Sequence, residues 1–418
     1  MPILHRLLYL FWHMGKDTMH KLNFHLFLVL LVLSYFQSFS VLCSSHFPKD
    51  FQTANTSNSF NKIVRRNGIF FLKMHKAASS TVQNIILRQA ELFGMKILFP
   101  KRGYGYSYPE YFPSTATDFI FDGGDIDNAF DVGCLHSRFQ NENVAKIFPH
   151  ERVKYVSIIR DPVEHFVSVF HYFHSLPIFR TFQSLEDFFE NAANLRREND
   201  LTSYSSGQAK NGIAFDFGLN NSAEHVTTAE LHLISSSFDL VLITEYVLES
   251  LILLKDLMGW DLQALVHFKL NSLDKKKVLQ LDDTLIKKVQ DWNSLDVQIY
   301  DFFNQTFWTK VKSFGHGRME KEKSILLDLC AQATSLCLPI DNPELHVSQD
   351  VHTVLQIPPF DSFNETTRYR RHFHPKGVKI IFHSLKSGLT GNKFNFCERI
   401  TAGELNYLDH LKWKQHQQ

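Results

Sequence analysis

Three short, mainly apolar runs, each followed by a polar turn and a helical pattern, constrain the fold of this chain more than any other feature. The runs are Gly68–Met74, Val153–Ile159 and Phe238–Thr244, and each has the length of a buried strand. Apolar residues recur at helical spacing in Thr81–Phe93 and again in Val247–Gly259. Strands that alternate with helices predict an α/β fold, with a mainly parallel central sheet flanked by helices.

The composition agrees with a globular protein. Of the 418 residues, 44% are hydrophobic and 21% are charged, which argues against disorder over most of the length. Lys and Arg number 44 against 43 Asp and Glu, a net charge of +1. This balance predicts no nucleic-acid partner, so an anion site has to be built locally. The 39 Phe residues are interpreted as bulky core filler.

A long apolar run near the N-terminus predicts a membrane anchor. The run Leu22–Cys43 is about one bilayer long at ~1.5 Å per residue. Arg6, Lys16 and Lys21 precede it, against a single Asp17. Positive charge before the span favours a cytoplasmic N-terminus, which sends the rest of the chain into the lumen. A cleaved signal peptide is the alternative, because small serines follow the apolar core.

This interpretation divides the chain into four parts. Residues 1–21 form a cytoplasmic tail, 22–43 a transmembrane signal anchor, 44–66 a stem rich in Ser, Asn and Thr, and 67–418 a lumenal domain. Four N-glycosylation sequons agree with a lumenal location. They begin at Asn55, Asn220, Asn304 and Asn364.

The cysteines also fit an oxidising compartment. Four follow the span, at Cys134, Cys330, Cys337 and Cys397, which allows two disulfides in three pairings. Cys330 and Cys337 are the natural local pair, and buried free thiols are the alternative. No CxxC zinc pattern and no cluster with metal-ligand spacing stands out in the sequence, so no metal is expected.

The turn after the first apolar run has the donors of an anion-binding loop. It runs from Lys73 to Thr81, KMHKAASST, where backbone N–H groups converge and the helix dipole adds partial positive charge. Lys76 supplies a full charge, and Ser79, Ser80 and Thr81 supply hydroxyl donors. The glycines of the nucleotide triphosphate loop GxxxxGK[ST] are absent. An ordinary helix start capped by Ser79 is the alternative.

A second motif follows the run Val153–Ile159 directly. Arg160 stands at the carboxyl end of a predicted strand, where open α/β sheets bind ligands, and its planar fork can grip a phosphate with two bonds. Asp161-Pro162 starts a helix, with Pro at its first position. Ser168 lies about two helical turns further on, close enough to offer a hydroxyl to the same group. An ion pair between Arg160 and Asp161 that only braces the turn is the alternative.

Together the two motifs resemble the cofactor signatures of sulfotransferases that use 3′-phosphoadenosine-5′-phosphosulfate (PAPS). More narrowly, four stretches are similar to the galactose-3-O-sulfotransferases, the galactosylceramide (cerebroside) sulfotransferase family. They begin at Leu72, Ile158, Leu240 and Cys397 and read LKMHKAASSTVQNIILR, IIRDPVEHFVSVFHYF, LVLITEYVLESLILLKDLMGWDLQALVHFKLN and CERITAGELNYLDHLKWKQ. The resemblance extends from about Gly68 to the C-terminus.

The resemblance implies a P-loop-like sulfotransferase fold in a single-pass type II Golgi membrane protein. It also implies transfer of a sulfonyl group from PAPS to the 3-hydroxyl of a terminal β-galactose, on a glycolipid such as galactosylceramide. The residues expected to bind the cofactor are Lys73, His75, Lys76, Ala77, Ala78, Ser79, Ser80 and Thr81 in the loop, with Arg160 and Ser168 at the 3′-phosphate. The family usually has Thr at the position of Met74, and often at that of Ala77, so one donor is lost.

Two catalytic residues are implied by the same resemblance. Sulfonyl transfer should be an in-line displacement, in which Lys76 neutralises charge on the leaving 5′-phosphate. The sugar hydroxyl needs a base, and His136 is the candidate, because its segment CLHSRF resembles the family's HxRF stretch. His136 follows the predicted strand Phe130–Leu135. His75 is the second candidate, and Arg138 either binds an acceptor hydroxyl or braces the site.

Three alternatives stay open at this point. The acceptor could be a glycoprotein or proteoglycan sugar, because acceptor loops have no legible code. A nucleotide triphosphate enzyme such as a kinase is disfavoured by the missing glycines and by the lack of an obvious magnesium-binding Asp. A catalytically inactive, membrane-anchored glycan-binding relative is favoured only by Met74 and Ala77. The sequence also leaves a homodimer open.

Overall fold

A computed structural model describes residues 67–120, 129–174, 178–198, 207–268, 281–339, 344–347, 380–383 and 385–417. These residues belong to one compact unit, Val64–Gln418. The predicted tail, anchor and stem lie outside the described residues, as do the sequons at Asn55 and Asn364. Within the described ranges, no helix combines the length and the apolar character that a membrane crossing needs.

The strands form one parallel sheet and one small antiparallel sheet. They are β1 (Gly68–Leu72), β2 (Val132–Gly133), β3 (Val153–Ile159), β4 (Leu240–Ile243), β5 (Glu344–Val347) and β6 (Ile380–His383). The first four are parallel in the order β2-β1-β3-β4, and β5 pairs antiparallel with β6. Strands β1 and β4 are buried along their whole length, as a sheet covered on both faces requires.

Helices surround the sheet and make up most of the rest of the described chain. They are α1 (Ser79–Phe93), α2 (Asn141–Ile147), α3 (Pro162–Tyr172), α4 (Leu185–Glu198), α5 (Gly212–Asp216), α6 (Thr228–Ser237), α7 (Val247–Met258), α8 (Asp283–Trp292), α9 (Ser294–Phe314), α10 (His316–Cys337), α11 (Gly391–Thr401) and α12 (Glu404–His416).

The predicted alternation of strands and helices is confirmed, with shorter strands at three places. The strand Val153–Ile159 has the predicted bounds, whereas the first strand stops at Leu72 and the one predicted at Phe238–Thr244 is Leu240–Ile243. The strand predicted at Phe130–Leu135 has only two residues. It ends there because the amide of Cys134 donates to a tyrosine hydroxyl and its carbonyl accepts from a glutamine side chain, so neither group joins the sheet.

The order of the strands contains a topological switch point. From β1 the chain continues to β2 on one side, and from β3 it continues to β4 on the other side. The switch point is therefore between β1 and β3, and open α/β sheets bind ligands outside the carboxyl ends of the strands at such a point. Leu72 and Ile159 end these two strands, so both sequence motifs begin at the switch point.

Phenylalanine rings fill two cores. In the first, Phe70 of β1 packs on three other phenylalanine rings, Phe112, Phe139 and Phe148. In the second, rings from α3 and α4 pack with Phe179; they are Phe166, Phe170 and Phe188. The interpretation of the many phenylalanines as core filler is confirmed for these rings, each of which is buried.

The predicted disulfide between Cys330 and Cys337 is wrong. The disulfide joins Cys337 to Cys397, while Cys330 and Cys134 are free thiols. Cys330 and Cys337 lie on the same helix, α10, seven residues apart. That spacing separates them by about 10 Å along the helix axis, beyond the roughly 7 Å that a disulfide can span between Cα atoms.

The charged segment 310–335 is helical: it ends α9 and forms most of α10. It packs on the rest of the domain, since Met319 and Leu326 are buried in the main core. The charged residues lie between these apolar anchors, and the sequence pattern did not reveal how deeply the helix packs.

Candidate active site

The turn between β1 and α1 has an unusual backbone. Lys76 and Ala78 adopt left-handed conformations, with φ values of 52° and 57°, and Ala77 between them does not. Such residues cost on the order of 1–3 kcal/mol each and are retained where function requires them. Alternating conformations of this kind turn successive N–H groups towards one concavity, next to the positive end of the α1 dipole. The turn therefore has the backbone of an anion cradle.

The serines of the turn are used differently from the prediction. The N-cap of α1 is Ala78, without a side-chain cap, so the alternative of a helix capped by Ser79 is wrong. The Ser79 hydroxyl donates to the carbonyl of Met74 at 2.6 Å, and that of Ser80 donates to Oε2 of Glu404 at 2.9 Å. Each hydroxyl has one proton, so in this conformation neither serine hydroxyl donates to an anion, whereas the backbone amides and Lys76 can.

Met74 and Ala77, where the resembled family is expected to carry threonine, face inward. Met74 is 1% exposed and Ala77 is fully buried, both within the main core. A different side chain at these positions therefore changes the packing of the core, which weakens the argument that they mark an inactive protein.

No carboxylate among the residues that the structure describes contacts the Lys76 amine. Its Nζ lies 3.7 Å from the centre of the Tyr172 ring, a cation–π arrangement. Burial, followed by the positive charges of Arg160 and Lys73, lowers the pKa of Lys76 to about 7. Because these surroundings disfavour the protonated form of Lys76, an anion bound beside it would stabilise that form.

Arg160 lies against the same turn. Its Nη1 donates to the carbonyl of Lys76 at 3.4 Å, and its Nη2 pairs with Glu164 at 2.8 Å. The proposed brace with Asp161 is wrong, because Asp161 instead caps α3 by accepting from two backbone amides at 3.0 Å. Glu164 is 58% exposed, so this ion pair is weak and easily exchanged for a ligand. Ser168 is buried on α3, two turns beyond.

His136 is held in the form that a general base needs. Its Nδ1 is 2.7 Å from the carbonyl of Lys73, and because a carbonyl only accepts, Nδ1 carries the proton. Its Nε2 is then the acceptor, and it receives a hydrogen bond from Nζ of Lys73 at 2.9 Å. Burial, followed by the positive charges of His75, Lys73 and Lys76, holds the pKa of His136 well below its usual range. His136 is therefore neutral at neutral pH.

His75 and His136 form a stacked pair. Their ring centres are 3.9 Å apart and their planes are inclined by 15°. Asp216 orients His75, because Oδ2 of Asp216 is 3.0 Å from His75 Nδ1 and also accepts the His75 amide. The other oxygen of Asp216 accepts from the Tyr108 hydroxyl and from Gln208, both at 2.9 Å. Sequence reasoning missed Asp216; the one signal was an acid inside the apolar stretch IAFDFG.

The C-terminal helix reaches the site through Glu404. Glu404 is the first residue of α12, and its Oε1 is 3.1 Å from Nζ of Lys73, which is 3% exposed. Sequence reasoning also missed Glu404. The Arg138 guanidinium lies over the rings of Tyr111 and Phe215 and donates to the carbonyl of Leu219 at 3.1 Å, contacts that agree with the bracing alternative.

The predicted site residues thus lie at one end of the sheet. His136 contacts both Lys73 and His75, and Arg160 contacts the backbone carbonyl of Lys76. Over the ranges that the structure describes, no three His, Cys, Asp or Glu side chains group closely enough to hold a metal ion. The arrangement offers an anion cradle with two cations beside a neutral imidazole, which suits the transfer of an anionic group to a hydroxyl.

Comparisons with known proteins match nearly the whole chain. The family model described as galactose-3-O-sulfotransferase matches residues 1–415. The galactosylceramide sulfotransferase of Mus musculus is 31% identical over 351 residues, which cover 83% of this chain and 78% of that protein. Galactose-3-O-sulfotransferase 2 of Homo sapiens is 31% identical over 349 residues, covering 82% of each. Galactose-3-O-sulfotransferase 3 of Mus musculus is 28% identical, covering 84% of this chain and 79% of that protein.

Proposed function

The chain belongs to the galactose-3-O-sulfotransferase family, and we propose that it transfers a sulfonyl group from PAPS to the 3-hydroxyl of a terminal β-galactose on a glycolipid such as galactosylceramide. The observation that carries this proposal is the meeting of two cations at the switch point of the sheet. There, the guanidinium of Arg160, after β3, donates to the carbonyl of Lys76 in the turn after β1.

The residues present fit a donor with anionic groups at both ends. The left-handed turn and Lys76 suit the 5′-phosphosulfate, because the pKa of Lys76 is depressed where an anion would restore it. Arg160 suits the 3′-phosphate, since its bond to the exposed Glu164 can be exchanged for a bidentate phosphate contact. Ser168 follows on the same helix.

The chain's own residues divide the reaction between them. PAPS supplies the activated sulfonyl group when bound. Lys76 neutralises the charge that grows on the bridging oxygen as the bond to sulfur breaks. Nε2 of His136 takes the proton of the sugar hydroxyl as the new oxygen–sulfur bond forms. Because Lys73 now donates to Nε2 at 2.9 Å, the acceptor hydroxyl has to replace Lys73 at this atom.

The glycolipid acceptor is supported by the similarity to galactosylceramide sulfotransferases, which are 30–31% identical to this chain. A glycoprotein or proteoglycan sugar is the competing acceptor, because other relatives are named only for the galactose 3-hydroxyl. The acceptor has to be decided by assay.

We propose that the domain works in the Golgi lumen, behind a type II anchor at residues 22–43. The apolar run and the positive charges before it support this orientation. So does the disulfide Cys337–Cys397, since such bonds persist in oxidising compartments. Treatment of microsomes with protease should leave a C-terminal tag intact until detergent is added. A tag that is cut without detergent would overturn the topology.

The test of the function is transfer of radiolabelled sulfate from PAPS by the full-length chain. Galactosylceramide, lactosylceramide and a free terminal β-galactoside are offered in parallel. We expect product on galactosylceramide, and none from Lys76→Ala. Lys255→Ala is the matched control, because Lys255 is also a buried lysine near an aromatic ring, Phe314, but lies on α7.

The other outcomes of the transfer assay each contradict a different part of the proposed function. Preference for the free galactoside would indicate that the acceptor is a glycan instead of a glycolipid. No product on any galactoside, with PAPS binding intact, means another acceptor. Absence of PAPS binding as well makes the protein an inactive relative. Loss of transfer in Lys255→Ala at unchanged folding would remove the specific role of Lys76.

A further inference from the structure

Glu404 uses both of its carboxylate oxygens on the site. Its Oε1 is 3.1 Å from Nζ of Lys73, and its Oε2 accepts a hydrogen bond from the Ser80 hydroxyl, with 2.9 Å between the two oxygens. Lys73 lies just after β1, and Ser80 is in the first turn of α1. Glu404, which begins the last helix of the described chain, thus contacts both ends of the turn between β1 and α1.

Lys73 stands between this carboxylate and the candidate base. Its ammonium donates to Nε2 of His136 at 2.9 Å, and its side chain is 3% exposed. A buried ammonium requires a counter-charge, and Glu404 is the carboxylate in contact with it. The three side chains form a continuous chain of contacts from the C-terminal helix to the imidazole.

We propose that Glu404 is a positioning residue of the transfer reaction: it keeps the Lys73 ammonium beside His136, supplies the carboxylate on which that ammonium rests when the acceptor hydroxyl takes its place at Nε2, and, through Ser80, ties the same helix end to the turn between β1 and α1. The proposal rests on the proposed function, which it deepens by naming what positions the lysine next to the base. Glu404 acts through Lys73 and Ser80, and it does not itself touch the reacting atoms.

The proposal has an electrostatic consequence at His136. The charged and titratable groups that face this ring are Lys73, His75, Lys76 and Tyr108, with Glu404 behind Lys73 and Asp216 behind His75. The Lys73 charge disfavours a protonated His136, and the Glu404 charge offsets part of that effect. Removing the Glu404 carboxylate and removing the Lys73 ammonium should therefore shift the pKa of His136 in opposite directions.

The experiment measures the protonation of His136 in the full-length chain. Hydrogen–deuterium exchange at the imidazole Cε1, followed by mass spectrometry, gives a titration midpoint for each histidine. We expect Lys73→Met to raise the His136 midpoint by about one pH unit, and Glu404→Gln to lower it. Asp409→Asn is the matched control, because Asp409 lies on the same helix and also accepts from a hydroxyl, that of Tyr104; it should leave the midpoint unchanged.

Two results would overturn the proposal. One is an unchanged midpoint in both variants, and the other is a shift of both in the same direction. If Glu404→Gln does not fold, Glu404→Asp replaces it, because the shorter side chain draws the carboxylate away from Lys73; a midpoint that rises or stays then refutes the Glu404 contact. Since this readout needs no turnover, opposite shifts in a chain that transfers no sulfonyl group uphold the Glu404 contact and reject the proposed function. Sulfonyl transfer by a chain whose His136 midpoints do not change in the variants would reject the Glu404 contact and uphold the proposed function.

Discussion

Lys76 should take up a proton when the anionic donor binds. Burial and two neighbouring cations lower its pKa to about 7 from 10.5, so at pH 8 only about one tenth of the free protein carries this charge. An anion in the cradle favours the charged form and raises the pKa again. Binding at pH 8 should then take up about 0.9 proton, and binding at pH 6 should take up about 0.1. Above pH 7, affinity should fall roughly tenfold per pH unit.

Calorimetry with adenosine 3′,5′-bisphosphate, the product left after sulfonyl transfer, measures this uptake. The apparent enthalpy is compared in two buffers of different ionisation enthalpy at each pH. His165 and His136 contribute little at pH 8, because burial lowers the pKa of His165 to about 4 and holds that of His136 well below its usual range. The variant Lys76→Met should bind more weakly and take up no proton.

Two calorimetric results would refute proton uptake by Lys76. Tight binding at pH 8 without proton uptake would mean that Lys76 is already charged in the free protein, or that the anion lies elsewhere. Equal uptake by wild type and Lys76→Met would assign the proton to another group. The first result would refute the coupling of anion binding to a lowered pKa of Lys76, and the second would remove Lys76 as the group that takes up the proton.

Three further outcomes are expected. His136→Ala should lower turnover ~100-fold with donor affinity nearly unchanged, and a fully active variant would remove it as base. Arg160→Ala should weaken PAPS binding more than acceptor binding in titrations of each; equal losses would contradict its assignment. Cys397→Ser opens a 60-residue disulfide loop and should lower the free energy of unfolding by about 4 kcal/mol in denaturant titrations, whereas Cys330→Ser, at a free thiol, should change it little.

Residues close together in the chain were predictable from sequence. The strand–turn–helix pattern located the turn after β1, and the strand Val153–Ile159 put Arg160 at a carboxyl end. Both are local patterns, because side-chain periodicity and turn chemistry act over a few residues. Parallel strands then bring their carboxyl ends to one edge, so the meeting of Lys76 with Arg160 follows from fold class alone.

Other features depended on how distant elements pack. Ser79 looked like a cap, but left-handed Ala78 occupies that position, and the Ser79 hydroxyl turns back to Met74. The nearest cysteines seemed paired, but the helix α10 holds them apart and Cys397 approaches instead. In each case a local preference lost to the geometry that the surrounding core imposes.

The sequence by itself determined the α/β alternation, the anion turn, the arginine of the second motif and the family, because all of these are written in contiguous residues. Only the tertiary structure decided what surrounds the base. Asp216 reaches His75 across 141 positions, and Glu404 reaches Ser80 across 324. Contacts at such separations depend on the packing of whole helices against the sheet, for which a single sequence has no local signal.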